Sequence, residues 1–160
     1  MQGSCVVTSA QAADVEEITQ VLRRSIAELC VADHLGETSK LEPWLANKTS
    51  ENVLQWIEGP DLVVAAHLQT DSTRFIAGVG MASTVGEVLL NYVHPDARLG
   101  GVSKAVMLSL EDHLRKLGLT KARLTSTVTA ERFYRSIGYV ETGGTRSHRG
   151  VVVRDFEKVF

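Results

Sequence analysis

Residues 93–106 read VHPDARLGGVSKAV. The apolar run EVLLNYV before them, residues 87–93, predicts a strand; Pro95 stops it, and Gly100 and Gly101 open a helix. A helix start leaves backbone N–H groups without intrahelical partners and carries the positive end of the helix dipole, so it is a ready site for phosphate. Gly101 has no Cβ to hold an anion away. Arg98 adds a charged donor and Ser103 a hydroxyl. The expected anion grip runs from Val93 to Lys104 and includes Leu99, Gly100 and Val102. A plain glycine turn followed by a helix cap accounts for the same residues. Neither GxGxxG nor GK(S/T) occurs here, so the dinucleotide-fold and Walker phosphate motifs do not fit.

Downstream, Val102, Val106, Leu110, Leu114 and Leu117 line one helix face, and Gly118 is placed to close it. ARLTST (122–127) predicts a strand, and Ala130, Phe133 and Ile137 mark a short helix closed by Gly138. YVETGG and GVVVRDFEKVF predict two last strands around a turn at 143–150. Upstream, DLVVAAHL (61–68) and RFIAGVGMAS (74–83) join 87–93 through short turns, which implies an antiparallel meander. SCVVTS (4–9) suits an opening strand. Val15, Ile18, Leu22, Ile26 and Leu29 recur at helical spacing over about 12–31, with acids in the first turns. Residues 33–60 read as helical but irregular, with a short helix near 50–57. The order predicts an α/β (α+β) domain, a mostly antiparallel sheet of about seven strands flanked by helices, with 1–160 as one domain.

Composition sets bounds. Hydrophobic residues are 44%, charged residues 22%, and the net charge is −2. That balance gives no bulk electrostatic case for nucleic acid or an anionic membrane. The N-terminal residues do not read as a signal peptide, and no apolar run approaches the roughly 18 residues of a membrane helix. Cys5 and Cys30 suit reduced thiols better than one disulfide. A cytoplasmic protein is expected. The five histidines and two cysteines show no metal-ligand spacing.

Two motifs carry a resemblance. Val93, Pro95, Arg98 and Gly101 match V-x-P-x-x-R-x-x-G-x-(G/A), motif A of the GNAT acyltransferases, the acetyl-CoA-dependent N-acetyltransferases. Ser103 stands where the family has Gly or Ala. TSTVTAERFYRSIGYV, residues 125–140, is similar to motif B, N-x-x-A-x-x-(F/L)-Y-x-x-x-G-(F/Y), through Ala130, Phe133, Tyr134, Gly138 and Tyr139, with Thr127 in place of Asn. SIAELCVADHLG (25–36) and WLANKT (44–49) resemble a bacterial subgroup of the family.

The resemblance implies a sheet splayed between its fourth and fifth strands, here 87–93 and 121–127. Acetyl-CoA, as cosubstrate, would lie in the cleft with its pantetheine arm on backbone groups of Asn91, Tyr92 and Val93, near Thr127, Ala130 and Phe133. It implies direct attack by a primary amine of a small molecule or peptide within a ternary complex, with no covalent acyl-enzyme. Dimerisation is common in the family, and a homodimer is compatible with it.

Acetyl transfer needs a deprotonated amine, a polarised carbonyl and a protonated leaving thiolate. Tyr134 matches the family tyrosine that protonates the thiolate; a packed aromatic is the alternative. Glu87 is the candidate base, or simply a solvated acid at a strand start. His34 and Asp33 follow the first helix, where acceptor pockets form in this family, and a water relay without a dedicated base is a further option. His94 and His67 have no evident catalytic role. Cys30, among Ile26, Leu29 and Val31, suits burial better than nucleophilic catalysis. Trp44 and Trp56 suit either an acceptor pocket or the core. Two other functions compete: a non-catalytic acyl-CoA sensor and an unrelated phosphate-binding domain.

Overall fold

The computed structural model describes residues 4–160; residues 1–3 of the expected 1–160 domain lie outside the described residues. Strand β1 (Ser4–Ser9) leads through a 3-10 turn into α1 (Val15–Leu29). Three short helices follow: α2 (Val31–His34), α3 (Thr38–Leu45) and α4 (Ser50–Glu58). Then come β2 (Leu62–Gln69), β3 (Arg74–Ala82) and β4 (Glu87–Val93), helix α5 (Val102–Lys116), β5 (Lys121–Thr127) and α6 (Val128–Ser136). The chain ends with β6 (Val140–Glu141), β7 (Arg146–His148) and β8 (Val151–Val159). No helix among the described residues is long and apolar enough to cross a membrane.

The sheet runs β1-β2-β3-β4-β5-β8-β6, with β7 also on β8. β2, β3 and β4 form the antiparallel meander. β4 and β5 are parallel, as a crossover through α5 requires. The alternation of β2 and β3 supplies two cores. Val63, Ala65, Ile76 and Val79 face Ile18 and Leu22 of α1 and Val53 of α4. Val64, Ala66 and Ala77 face Val102, Val106 and Leu110 of α5 on the other side. Gly78 and Gly80 let α5 come close: a Cβ on Gly78 would sit 2.6 Å from Val102 Cγ1, and one on Gly80 would run into Val106.

The segment expected as a turn at 143–150 instead holds β7, which makes eight strands among the described residues. Its residues, Arg146, Ser147 and His148, are all exposed and polar, so no apolar alternation marks it. Arg149 and Gly150 at its tip both have positive φ, 54° and 82°, the conformation of a two-residue hairpin turn. An Arg-Gly pair does not announce that turn as Asn-Gly would.

Candidate active site

β4 and β5 pair only at Glu87↔Arg123 and Val88↔Leu124, and beyond these positions the two strands part. The register of β4 on β3 moves from Ala82↔Val88 to Met81↔Leu90, which leaves Leu89 as an extra residue. Such a bulge bends its strand and increases local twist. It coincides with the point where β4 leaves β5, so a one-residue insertion accounts for the cleft. On the far wall β5 pairs with β8 along its whole length, Lys121↔Val159 to Thr127↔Val153.

The cleft side of β4 is an open strand edge. The His94 N–H bonds to the Ala77 carbonyl at 2.8 Å. Antiparallel alternation then turns the backbone groups of Asn91 and Val93 away from β3 and into the cleft. The Asn91 Oδ1 atom is buried there without a hydrogen-bond partner. An extended amide-bearing chain laid along β4 would satisfy both the edge and this orphaned acceptor.

At the end of β4, a 3-10 turn (Pro95–Ala97) is held by the Asp96 N–H donating to His94 Nδ1 at 3.0 Å. Leu99 and Gly101 have φ of 64° and 80°, and Leu99 is 96% exposed. The first bond of α5 runs from the Ala105 N–H to the Gly101 carbonyl at 3.1 Å. The N–H groups of Val102, Ser103 and Lys104 therefore precede the helical ladder. A Cβ at Gly101 would meet nothing within 4 Å. The space before the helix is open, and the positive φ is what restricts this position to glycine. Arg98 and Lys104 are exposed, Gly100 flanks them, and Ser103 lines the cleft.

Two cavities meet at the parting of the strands. One, about 240 Å³, is lined by Asn91, Tyr92 and Val93, by Ser103, and by Thr127, Ala130, Phe133 and Tyr134. The other, about 350 Å³, opens on the opposite side beside Glu87, Asn47, Lys48 and the β7–β8 hairpin. Trp44, Val88, Leu89, Tyr92, Thr125 and Thr127 line both.

Tyr134 is 7% exposed and stacks edge-on against Phe133 and Tyr139. Asn91 Nδ2 donates to its hydroxyl oxygen at 3.2 Å, which leaves the phenolic proton available to a third group. Burial pushes its pKa up to about 12, against a smaller lowering from the Asn91 bond. Asp33 holds the start of the helix that carries it: its carboxylate accepts from the Thr129 N–H at 3.2 Å and from the Thr129 hydroxyl.

The remaining candidates separate cleanly. Glu87 lines the larger cavity, four residues before Asn91, or about 13 Å along an extended strand. His34 is buried with Nε2 on the Ile26 carbonyl at 2.9 Å and Nδ1 accepting from the Gly36 N–H at 3.0 Å, so both nitrogens serve the backbone. Asp33 is the helix cap just described. Trp44 lines both cavities and donates to the Tyr92 hydroxyl at 3.0 Å, whereas Trp56 packs into the α1–α4 core. Cys30 lines the smaller cavity, but burial, helped by Asp33, pushes its thiol up to about 12, which keeps it from acting as a thiolate. Tyr139 of motif B is structural: its hydroxyl donates to buried Glu111 at 2.8 Å, and Lys158 meets the same carboxylate at 2.9 Å. No cluster of His, Cys, Asp or Glu suited to a metal occurs among the described residues.

Sequence reasoning missed the Asn91–Tyr134 pair, the buried Lys48 and the cationic hairpin tip. Asn91 was visible only as a polar residue inside an apolar strand. Lys48 and Arg149 carried no signal, because they meet across about a hundred residues of chain.

The family model described as the acetyltransferase (GNAT) domain matches residues 47–160. Among solved structures, the fold is similar to a GCN5-related N-acetyltransferase from Rhodopseudomonas palustris, at TM-score 0.84 and 18% identity, covering 100% of this chain and 98% of that one. It is also similar to the PaiA N-acetyltransferase of Thermoplasma acidophilum in complex with coenzyme A, at 0.78 and 20%, covering 98% and 99%. A third likeness is to YncA, a putative acetyltransferase from Salmonella typhimurium with acetyl-CoA, at 0.70 and 16%, covering 98% and 94%. No curated protein matches the sequence.

Proposed function

Since the chain belongs to the GNAT acetyltransferase family, we propose that residues 1–160 form one domain that transfers an acetyl group from acetyl-CoA to a primary amine by direct attack in a ternary complex. The observation that carries this reading is the buried Tyr134 hydroxyl, held by Asn91 at the parting of β4 and β5 with its proton free.

The roles divide along the cleft. The N–H groups of Val102, Ser103 and Lys104, with Arg98, Leu99, Gly100 and Gly101 around them, hold the pyrophosphate. Backbone groups of Asn91 and Val93 and the orphaned Asn91 Oδ1 take the pantetheine amides, with Tyr92, Thr127, Ala130 and Phe133 as walls. The co-complexes of PaiA and YncA support a coenzyme A site on this fold. The thioester supplies an activated acyl carbon. The amine nitrogen bonds to that carbon, and the carbon–sulfur bond breaks with its electron pair on sulfur.

Tyr134 faces the sulfur as a hydrogen-bond donor. Burial holds the Tyr134 phenol at about 12, so it stays protonated and acts as a hydrogen-bond donor while charge develops on sulfur. Tyr134 therefore gives up its proton only as the attacking nitrogen sheds its own. Of the two protons an ammonium acceptor loses, one reaches solvent through Glu87 at the larger cavity, and the other replaces the proton Tyr134 gave. The distance along β4 between Glu87 and Asn91 makes this a water-borne route.

The test is release of coenzyme A thiol from acetyl-CoA with a panel of polyamines, amino acids, aminoglycosides and peptide N-termini. Amine-dependent release with a matching acetylated product is expected. Acetyl-CoA binding without transfer to any amine would favour the sensor reading.

A further inference from the structure

The larger cavity has an unbalanced charge. Lys48, Arg146, Arg149 and His148 line it, against Glu87 as its one carboxylate. Arg146 is already neutralised by Asp155, at 3.0 Å. Lys48 and Arg149 are not paired in that way. Lys48 is 6% exposed, and its ammonium bonds to the Trp44 carbonyl at 3.3 Å and Asn47 Oδ1 at 2.7 Å, both neutral acceptors. Arg149 donates to the Pro43 carbonyl at 3.0 Å. Neither has a carboxylate within 4.0 Å among the described residues. Burying an ammonium without a counter-charge is costly, and burial together with Arg149 lowers its pKa to about 8. An anion brought into the cavity would remove that cost.

Shape narrows the choice further. The Arg149–Pro43 bond ties the β7–β8 hairpin to α3. A volume of about 350 Å³ is at the small end of ligand pockets. A cavity of that size fits an amino-acid-sized molecule.

We propose that the acceptor is a small amine that also carries an oxyanion, an amino-acid-like zwitterion whose anionic group is held by Lys48 and Arg149 while its amine points past Glu87 to the parting of β4 and β5. The proposal rests on the acetyl-transfer reading above and names its substrate class. The carboxylate replaces the missing counter-charge, and Glu87 lies where the ammonium end arrives.

Three acceptor pools test it by thiol release: the twenty amino acids, their carboxamides, and aliphatic amines with polyamines. Aminoalkylphosphonates form a fourth arm that separates carboxylate from phosphonate. A binding arm titrates N-acetyl amino acids and their amides into the protein saturated with coenzyme A, read by isothermal titration calorimetry. At least tenfold higher kcat/KM for acid-bearing acceptors over their amides is expected. That ratio should fall toward one in Lys48→Met and in Arg149→Ala, the latter an exposed position that avoids any folding defect from the buried lysine. Equal or better transfer to amides or polyamines, or a ratio that survives in both variants, overturns the proposal and leaves acetyl transfer standing. Carboxylate-selective binding without transfer to any pool would uphold the anion site and overturn the transfer reading. Neither transfer nor selective binding would overturn both.

Discussion

The two ends of the cleft are built by different means. The proposed donor end is made of main chain: an open strand edge at Asn91 and Val93, and helix N–H groups after Gly101. The proposed acceptor end is made of side chains from α3, the segment before α4, and the β7–β8 hairpin. Backbone recognition needs few residue types but strict conformations, so it tolerates substitution except where φ is special. Side-chain recognition leaves conformation loose and makes each charge matter.

The comparison can be broken most forcefully at Gly101. A β-branched residue there intrudes on the phosphate, about 3 kcal/mol or roughly a hundredfold in affinity, and its positive φ adds about 1–2 kcal/mol of strain to the fold. Calorimetric titration of acetyl-CoA into Gly101→Val reads this directly; normal binding would mean that the helix start is not the grip. Next in size is the acceptor end, where Lys48→Met should raise KM for an acid-bearing acceptor about tenfold and leave the acetyl-CoA Kd within about twofold. A matching loss in acetyl-CoA affinity would show that the two ends are not separable.

A stability effect follows in size. Gly80→Ala drives a methyl into Val106, and overpacking of this kind costs about 1–3 kcal/mol. Thermal melting should show a lowered Tm; an unchanged Tm would mean that α5 does not need this close approach.

Lys48 also gives a pH signature. Its folded pKa of about 8 lies below its ordinary 10.5, so between these values the unfolded chain carries the proton that the folded chain has lost. Stability from this group accordingly rises with pH across that window. Affinity for an anionic acceptor moves the opposite way, because the ammonium must be charged to hold it. A KM for such an acceptor that stays flat from pH 7 to 9.5 would contradict the assignment. The smallest effect is at Ser103, where Ser103→Gly should change acetyl-CoA affinity by no more than about twofold, since the proposed donor is the N–H and not the hydroxyl. A larger loss would make the hydroxyl part of the grip.

The same division explains what the sequence disclosed. The local structure of the proposed donor end was legible because its demands are local: a strand, a proline stop, a glycine at a left-handed position and a helix, all within Val93 to Lys104. The helix from Val102 and the meander of β2, β3 and β4 followed from periodicity. The Leu89 bulge was not legible, because an extra residue in an apolar strand leaves its composition unchanged. Nor was β7, whose three residues bury nothing. The acceptor end was least readable of all. Lys48 sits in the irregular 33–60 segment, and only folding brings it beside Arg149. Asp33 and His34 line neither cavity; the structure gives both to local architecture, a helix cap and a backbone clasp.

The central claim is that Tyr134 acts on the chemistry and not on binding. Its most direct test is acetyl-CoA Kd and amine-dependent turnover measured on one preparation of Tyr134→Phe. The account predicts a Kd within about twofold of the parent and turnover lower by roughly a hundredfold, the scale of a lost general acid. Unchanged turnover, or a loss matched by weakened acetyl-CoA binding, would contradict it.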